Sequence, residues 1–140
     1  MEQRISLITL GVQDLATSTA FYEALGWQRS MRQAKGVSFF QCGCLAVALW
    51  PWPSLAADAG VLPERRGAGG FALAYKPRTR EEVDAVLAEV AALGAVVVKP
   101  AAEVFWGGYS GYFKDPDGYY WEVAWGPDFK YDDNEMLDLS

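Results

Sequence analysis

Apolar runs and breaks in this chain occur in the same order twice. Ile5 to Val12 is rich in leucine and β-branched residues and reads as a strand. Asp14 suits an N-cap, because its carboxylate can accept from exposed helix N–H groups. Leu15, Phe21, Tyr22 and Leu25 then form an apolar stripe at helical spacing, and Gly26 can take the left-handed stop. Trp27 to Met31, Val37 to Gln41 and Cys44 to Trp50 follow as strands, separated by polar or glycine breaks. In the second half, Phe71 to Tyr75 reads as a strand. Thr79-Arg80-Glu81-Glu82 is a capping box opening a helix with Val83, Val86, Leu87, Val90 and Leu93 on one side, closed by Gly94. Ala95 to Val98, Tyr109 to Phe113 and Tyr119 to Trp125 complete the set of strands. Asp115-Pro116-Asp117-Gly118 is a turn between the last two, with proline presetting φ and glycine accepting a positive one. The result is β-α-β-β-β written twice.

This order points to an α+β fold in a single 140-residue domain, with module one at about 4–53, module two at about 70–127 and a linker at about 54–69. Trp52 to Gly70, rich in proline, alanine and glycine, is read as that connection. The acidic tail 128–140 carries Asp132, Asp133, Glu135 and Asp138; it is either a solvated terminus or an arm on a partner subunit.

The most exclusive compositional fact is that the chain has no histidine. That removes Ser-His-Asp and Cys-His nucleophile systems, HExxH zinc hydrolases and every triad of two histidines and a carboxylate. Cys42 and Cys44, read as lying on one strand face, are too close for an unstrained bridge. They are expected as reduced thiols in a cytoplasmic protein. No apolar run approaches the roughly 20 residues of a bilayer span, and the N-terminus lacks a basic cluster, so neither a membrane segment nor a signal peptide is expected. A net charge of −6 makes nucleic acid an improbable partner. Arg29, Arg32, Lys35, Arg65, Arg66 and Arg78 are most simply a solvated set.

Two βαβββ modules, with Val12-Gln13-Asp14-Leu15, Phe21-Tyr22 and Leu25-Gly26 in the first, resemble the vicinal oxygen chelate superfamily. So does the pairing of Phe113-Lys114-Asp115-Pro116-Asp117-Gly118 with Trp121-Glu122-Val123 in the second. This superfamily includes glyoxalase I, bleomycin-resistance proteins and extradiol dioxygenases. The resemblance runs from about Ile5 to Pro127. It implies curved mixed sheets around a groove, with the helices behind them, and a homodimer.

The resemblance also implies metal ligands on the first and last strand of each module, which fall at Leu7, Ala46, Ala72 and Glu122. Only Glu122 has a donor atom, so no metal and no cofactor is expected. Strand parity adds Ile5, Thr9, Cys44, Ala48, Ala74, Tyr120 and Ala124 to the groove face and turns Trp121 and Val123 towards the helices. Trp106, Tyr109 and Tyr112, interleaved with glycines, either cap the core or form a stacking wall for a planar ligand. Trp50 and Trp52 offer a lip or packing. Glu122 has two readings: a hydrogen-bonding relic, or a base or cation holder whose pKa burial would raise.

Three functions follow. The first is metal-independent binding of a planar, optionally cationic organic ligand by Leu7, Thr9, Ala46, Ala72, Trp106, Tyr109, Tyr112, Tyr120 and Glu122. The second is a glyoxalase- or dioxygenase-like lyase or isomerase with Glu122 as general base and Tyr120 or Tyr112 as proton donor. The third is a groove for a protein partner.

Overall fold

The computed structural model describes residues 6–58, 72–134 and 136–138. The chain divides into two compact units, Met1–Gly67 and Ala68–Ser140, parted inside the stretch read as a linker.

The first unit is built from β1 (Leu7–Val12), α1 (Leu15–Ala24), β2 (Arg29–Ser30), β3 (Ser38–Cys42) and β4 (Leu45–Pro51). They form a mixed sheet in the order β1-β4-β3-β2, with β4 parallel to β1 and antiparallel to β3. Asp14 caps α1 as expected, its carboxylate accepting from the Thr17 N–H at 2.7 Å. That hydrogen bond holds its carboxyl below the usual carboxylate range. Leu10, Val12, Val47, Leu49 and Phe40 are buried with Phe21 and Tyr22 of the helix. Tyr22 packs against Phe21, Trp27 and Phe40, and Thr19 and Ser38 share a buried hydroxyl hydrogen bond at 2.8 Å. The helix therefore lies on the face carrying Ser38 and Phe40, and Leu7, Thr9, Ala46 and Ala48 belong to the other.

Three sequence expectations change here. The strand read from Trp27 to Met31 contracts to two residues, because Met31 takes the left-handed φ of 46°. Cys44 lies not on a strand but in the β3–β4 turn, where Gly43 has φ 59°. Trp52 does not open a loop: it begins α2 (Trp52–Asp58), where Pro53 is tolerated in the first turn and the alanines favour helix. The Trp52 ring lies directly over Gly11, with Leu55 beside it, so β1 has no room there for a side chain. The rest of the expected linker, with Arg65 and Arg66, lies outside the described residues, as do Ile5 and Phe71.

The second unit repeats the arrangement with β5 (Leu73–Tyr75), α3 (Arg80–Ala92), β6 (Val96–Glu103), β7 (Tyr109–Lys114) and β8 (Tyr120–Trp125), in the order β5-β8-β7-β6. Thr79 and Glu82 form the expected capping box. Val83, Leu87 and Val90 are buried against the sheet face of Phe113, Trp121 and Val123, where Phe113 stacks on Trp121. Leu93, read as part of that stripe, is instead the half-exposed C-cap. Strand β6 runs past Val98 through Pro100, which an edge strand with register shifts accommodates. The Asp115 carboxylate accepts from Asp117 N–H at 3.0 Å and Tyr119 N–H at 2.9 Å, closing the β7–β8 turn.

Asp132 and Asp133 of the tail are solvent-exposed, yet the tail is tied to the second unit. Lys130–Tyr131 (β9) pairs with Leu137–Asp138 (β10), and the Tyr131 hydroxyl donates to the carbonyls of Lys76 at 2.9 Å and Pro77 at 3.3 Å. Among the described residues no helix is long and apolar enough to cross a membrane.

Candidate functional site

Strand β8 is central in the second sheet, so its side chains have neighbours on both sides. Glu122 stands abreast of Ala74 on β5 and Tyr112 on β7. Alternation puts Ser110, Tyr112, Tyr120, Glu122 and Ala124 on the face opposite α3. Two hydroxyls converge on Oε1 of Glu122: Tyr112 donates at 3.2 Å and Ser110 at 3.3 Å. The other oxygen, Oε2, receives the Lys76 ammonium at 2.6 Å. Both carboxylate oxygens are thus engaged, by one cation and two neutral donors.

Lys76 is itself held in place. Its Nζ lies 5.1 Å from the centroid of Phe129, and its carbonyl takes the Tyr131 hydrogen bond. Phe129 packs on Trp106 at 5.7 Å, and the Trp106 ring covers Gly108 and Gly126 on the Glu122 face. A line of contact therefore runs from Trp106 through Phe129 and Lys76 to Glu122, Tyr112 and Ser110. Burial, reinforced by the Glu122 charge, pushes the Tyr112 phenol up from a range that already leaves it protonated at neutral pH.

The expectation that Glu122 sits in an apolar setting does not hold, since an ammonium is its nearest partner. Its hydrogen-bonding reading is met by Tyr112 and Ser110. Tyr109 does not join Tyr112 in one stacking wall. One residue of odd spacing turns it to the helix face, where its hydroxyl donates to Asp84 at 3.1 Å and its ring carries the Arg80 guanidinium at 4.3 Å. Burial, then the Asp84 hydrogen bond, raises the Tyr109 pKa. Ala72 precedes β5, and the residue abreast of Glu122 is Ala74. Tyr120 lies two residues along the strand from Glu122, with Lys114 over its ring at 4.8 Å.

In the first unit Leu7 and Ala46 are register partners, as are Thr9 and Ala48. Leu7 is 45% exposed. Of the ligand positions implied by the family resemblance, those in the first unit are thus a leucine and an alanine, and those in the second are Ala72 and a carboxylate already paired with Lys76. Among the described residues no three Cys, Asp or Glu side chains group to hold an ion. That donor set does not fit a divalent metal. Both cysteines are free, and burial raises the Cys42 thiol.

Sequence reasoning missed Lys76, Ser110 and Phe129. Ser110 was legible, being two residues from Tyr112 on the same strand. Lys76 continues the parity of Ala72 and Ala74 beyond the end of β5. Phe129 lies past the last strand of the repeat, and no local pattern marks it.

Residues 4–123 match the family model described as the glyoxalase/bleomycin resistance protein/dioxygenase superfamily. A glyoxalase-related enzyme from Fulvimarina pelagi is 33% identical, with a TM-score of 0.91 and 99% of each chain covered. A lactoylglutathione lyase from Agrobacterium tumefaciens is 29% identical, with a TM-score of 0.67 over 90% of this chain and 96% of that one. The fosfomycin resistance protein FosX from Listeria monocytogenes is 28% identical, with a TM-score of 0.69 over 91% of this chain and 97% of that one. Comparison with curated proteins gives no match.

Proposed function

The chain belongs to the glyoxalase/bleomycin resistance protein/dioxygenase superfamily, and from that premise we propose that it binds a small planar organic molecule without a metal. The observation that carries this reading is the ring of Lys76, Ser110 and Tyr112 around Glu122, with Trp106 and Phe129 as its aromatic end. A few convergent polar groups beside rings and alanines are what an organic ligand needs for orientation and contact. The proposed ligand differs in charge from what composition alone suggests. Lys76 already supplies the cation that Glu122 would attract, so a purely cationic guest must displace an ammonium. A planar ligand with both a donor and an acceptor can engage the pair intact.

A titration against planar aromatic molecules carrying donor and acceptor groups, followed by tryptophan fluorescence, tests it. Binding below about 1 mM, lost in Glu122→Gln and Trp106→Ala, is the expected result. Failure of every member to bind, or stoichiometric Fe, Zn, Ni or Mn in the purified protein, would sink it.

A second reading is favoured by one contact, Tyr112 to Glu122. A carboxylate and a protonated phenol in hydrogen-bond reach can act as base and acid on a lyase or isomerase substrate. Glu122 must then exchange its Lys76 partner for the substrate proton. Turnover that disappears in both Glu122→Gln and Tyr112→Phe would favour this over binding alone. We also propose a homodimer, since β1, β2, β5 and β6 are sheet edges. Elution as a monomer at micromolar concentration would remove it.

A further inference from the structure

The chain carries a net charge of −6, but one cavity of the first unit gathers the opposite sign. Its volume is about 540 Å³, and it lies between α1 and the segment joining β2 to β3. Arg29, Arg32 and Lys35 line one side, and Ala16 and Ala20 of α1 line another. A single carboxylate, Glu23, opposes three cations. It holds Arg32 only loosely, at 3.9 Å, and the Arg32 side chain is 73% exposed.

The segment has been shaped to form this wall. Arg29 Nη2 donates to the carbonyls of Ala34 at 3.3 Å and Val37 at 3.0 Å, which ties both ends of the turn to one guanidinium. Two residues take left-handed backbone, Gly36 at φ 76° and Met31 at φ 46°. For glycine this is free, but for methionine it is strained, and such strain persists only where the surroundings impose it. Arg29 Nε, moreover, is buried with no acceptor among the described residues. A buried guanidinium donor without an acceptor is unfavourable, and an oxyanion drawn in from the cavity would relieve it.

We propose that this cavity is a binding site for a small organic phosphate, separate in chemistry from the Glu122 cluster. The phosphate would meet Arg29, Arg32 and Lys35, and its organic part would lie on Ala16 and Ala20. The guanidinium forks suit phosphate oxygens, and the small side chains leave room for a ring.

Phenyl phosphate, titrated into isotopically labelled protein and followed by amide NMR, is the test, with inorganic phosphate and benzyl alcohol as separate arms. The expected shifts centre on Ala16, Ala20, Ala34 and Gly36 and weaken as salt is raised. The double variant Arg32→Ser/Lys35→Ser, at two exposed positions, should lower affinity by about tenfold. Glu23→Gln should tighten binding, and Glu122→Gln should leave it unchanged. Any of three results overturns the proposal: no shifts up to about 10 mM, equal affinity in the double variant, or benzyl alcohol binding as well as phenyl phosphate. Inorganic phosphate binding as tightly as phenyl phosphate would overturn the organic part of the assignment.

Discussion

The ammonium of Lys76 lies 2.6 Å from Glu122 Oε2, and the two side chains are only 18% and 22% exposed. A pair at that depth differs from a surface ion pair. Removing one partner leaves the other charge half-buried, whereas removing both does not. Lys76→Met is expected to destabilise the protein by about 1–2 kcal/mol in urea unfolding. Lys76→Met/Glu122→Gln should recover part of that loss. Additive losses in the double-mutant cycle would show that the two groups do not interact.

Gly111 on β7 faces α3. A methyl group there would lie 2.5 Å from Leu87 Cδ1 and 2.9 Å from the Lys99 carbonyl oxygen. Leucine can turn away, but the carbonyl of the β6 backbone cannot. Gly111→Ala should therefore cost about 1–3 kcal/mol, and Leu87→Ala should not rescue it. Unchanged stability on thermal unfolding would contradict this packing.

The Tyr112 phenol has its pKa raised by burial and then by the Glu122 charge. A folded-state value above the unfolded one stabilises the fold below the ordinary tyrosine range. That contribution is lost as pH rises through the folded-state value. Tyr112→Phe should accordingly flatten the alkaline decline in stability. In an ultraviolet tyrosinate titration, Glu122→Gln should shift one tyrosine to lower pH. A titration unaltered by that substitution would exclude the coupling.

The Thr79 hydroxyl accepts from the Glu82 N–H, and the Glu82 carboxylate accepts from the Thr79 N–H. Thr79→Ala opens this box and should cost about 1 kcal/mol, read as a drop in the urea midpoint with an unchanged slope.

Cys44 is exposed in its turn, while Cys42 is partly buried with its thiol pKa raised. A thiol reagent at neutral pH should modify Cys44 well before Cys42, because the thiolate is the reacting form. Equal rates at both would count against the burial described.

Much of this was readable from periodicity and turn chemistry. Asp14, the Thr79–Glu82 box and the Asp115–Gly118 turn each act through partners within a few residues, so their sequence signals were sufficient. Trp121 and Val123 were assigned to the helix face by alternation from Glu122, whose groove position the family resemblance implied, and they are there. What escaped depends on contacts distant in sequence. Lys76 reaches Glu122 across 46 positions, and no local pattern encodes that reach. Tyr109 was misassigned because the glycines around it suggested a shared wall, whereas strand parity turns it to Asp84. Met31 ended a strand early because its left-handed backbone has no marker in residue type.

The hydrogen bond from Tyr131 to Lys76 joins residues 55 positions apart. During synthesis Lys76 leaves the ribosome long before Tyr131, and domains begin to fold as they emerge. Glu122 follows Lys76 by 46 positions and precedes Tyr131 by only nine, so the ion pair and its fastening both wait for the end of the second unit. Lys76 thus passes most of synthesis before its acid exists, and a released chain ending at Trp125 would keep Glu122 but lose the Phe129 and Tyr131 contacts that hold the lysine in place.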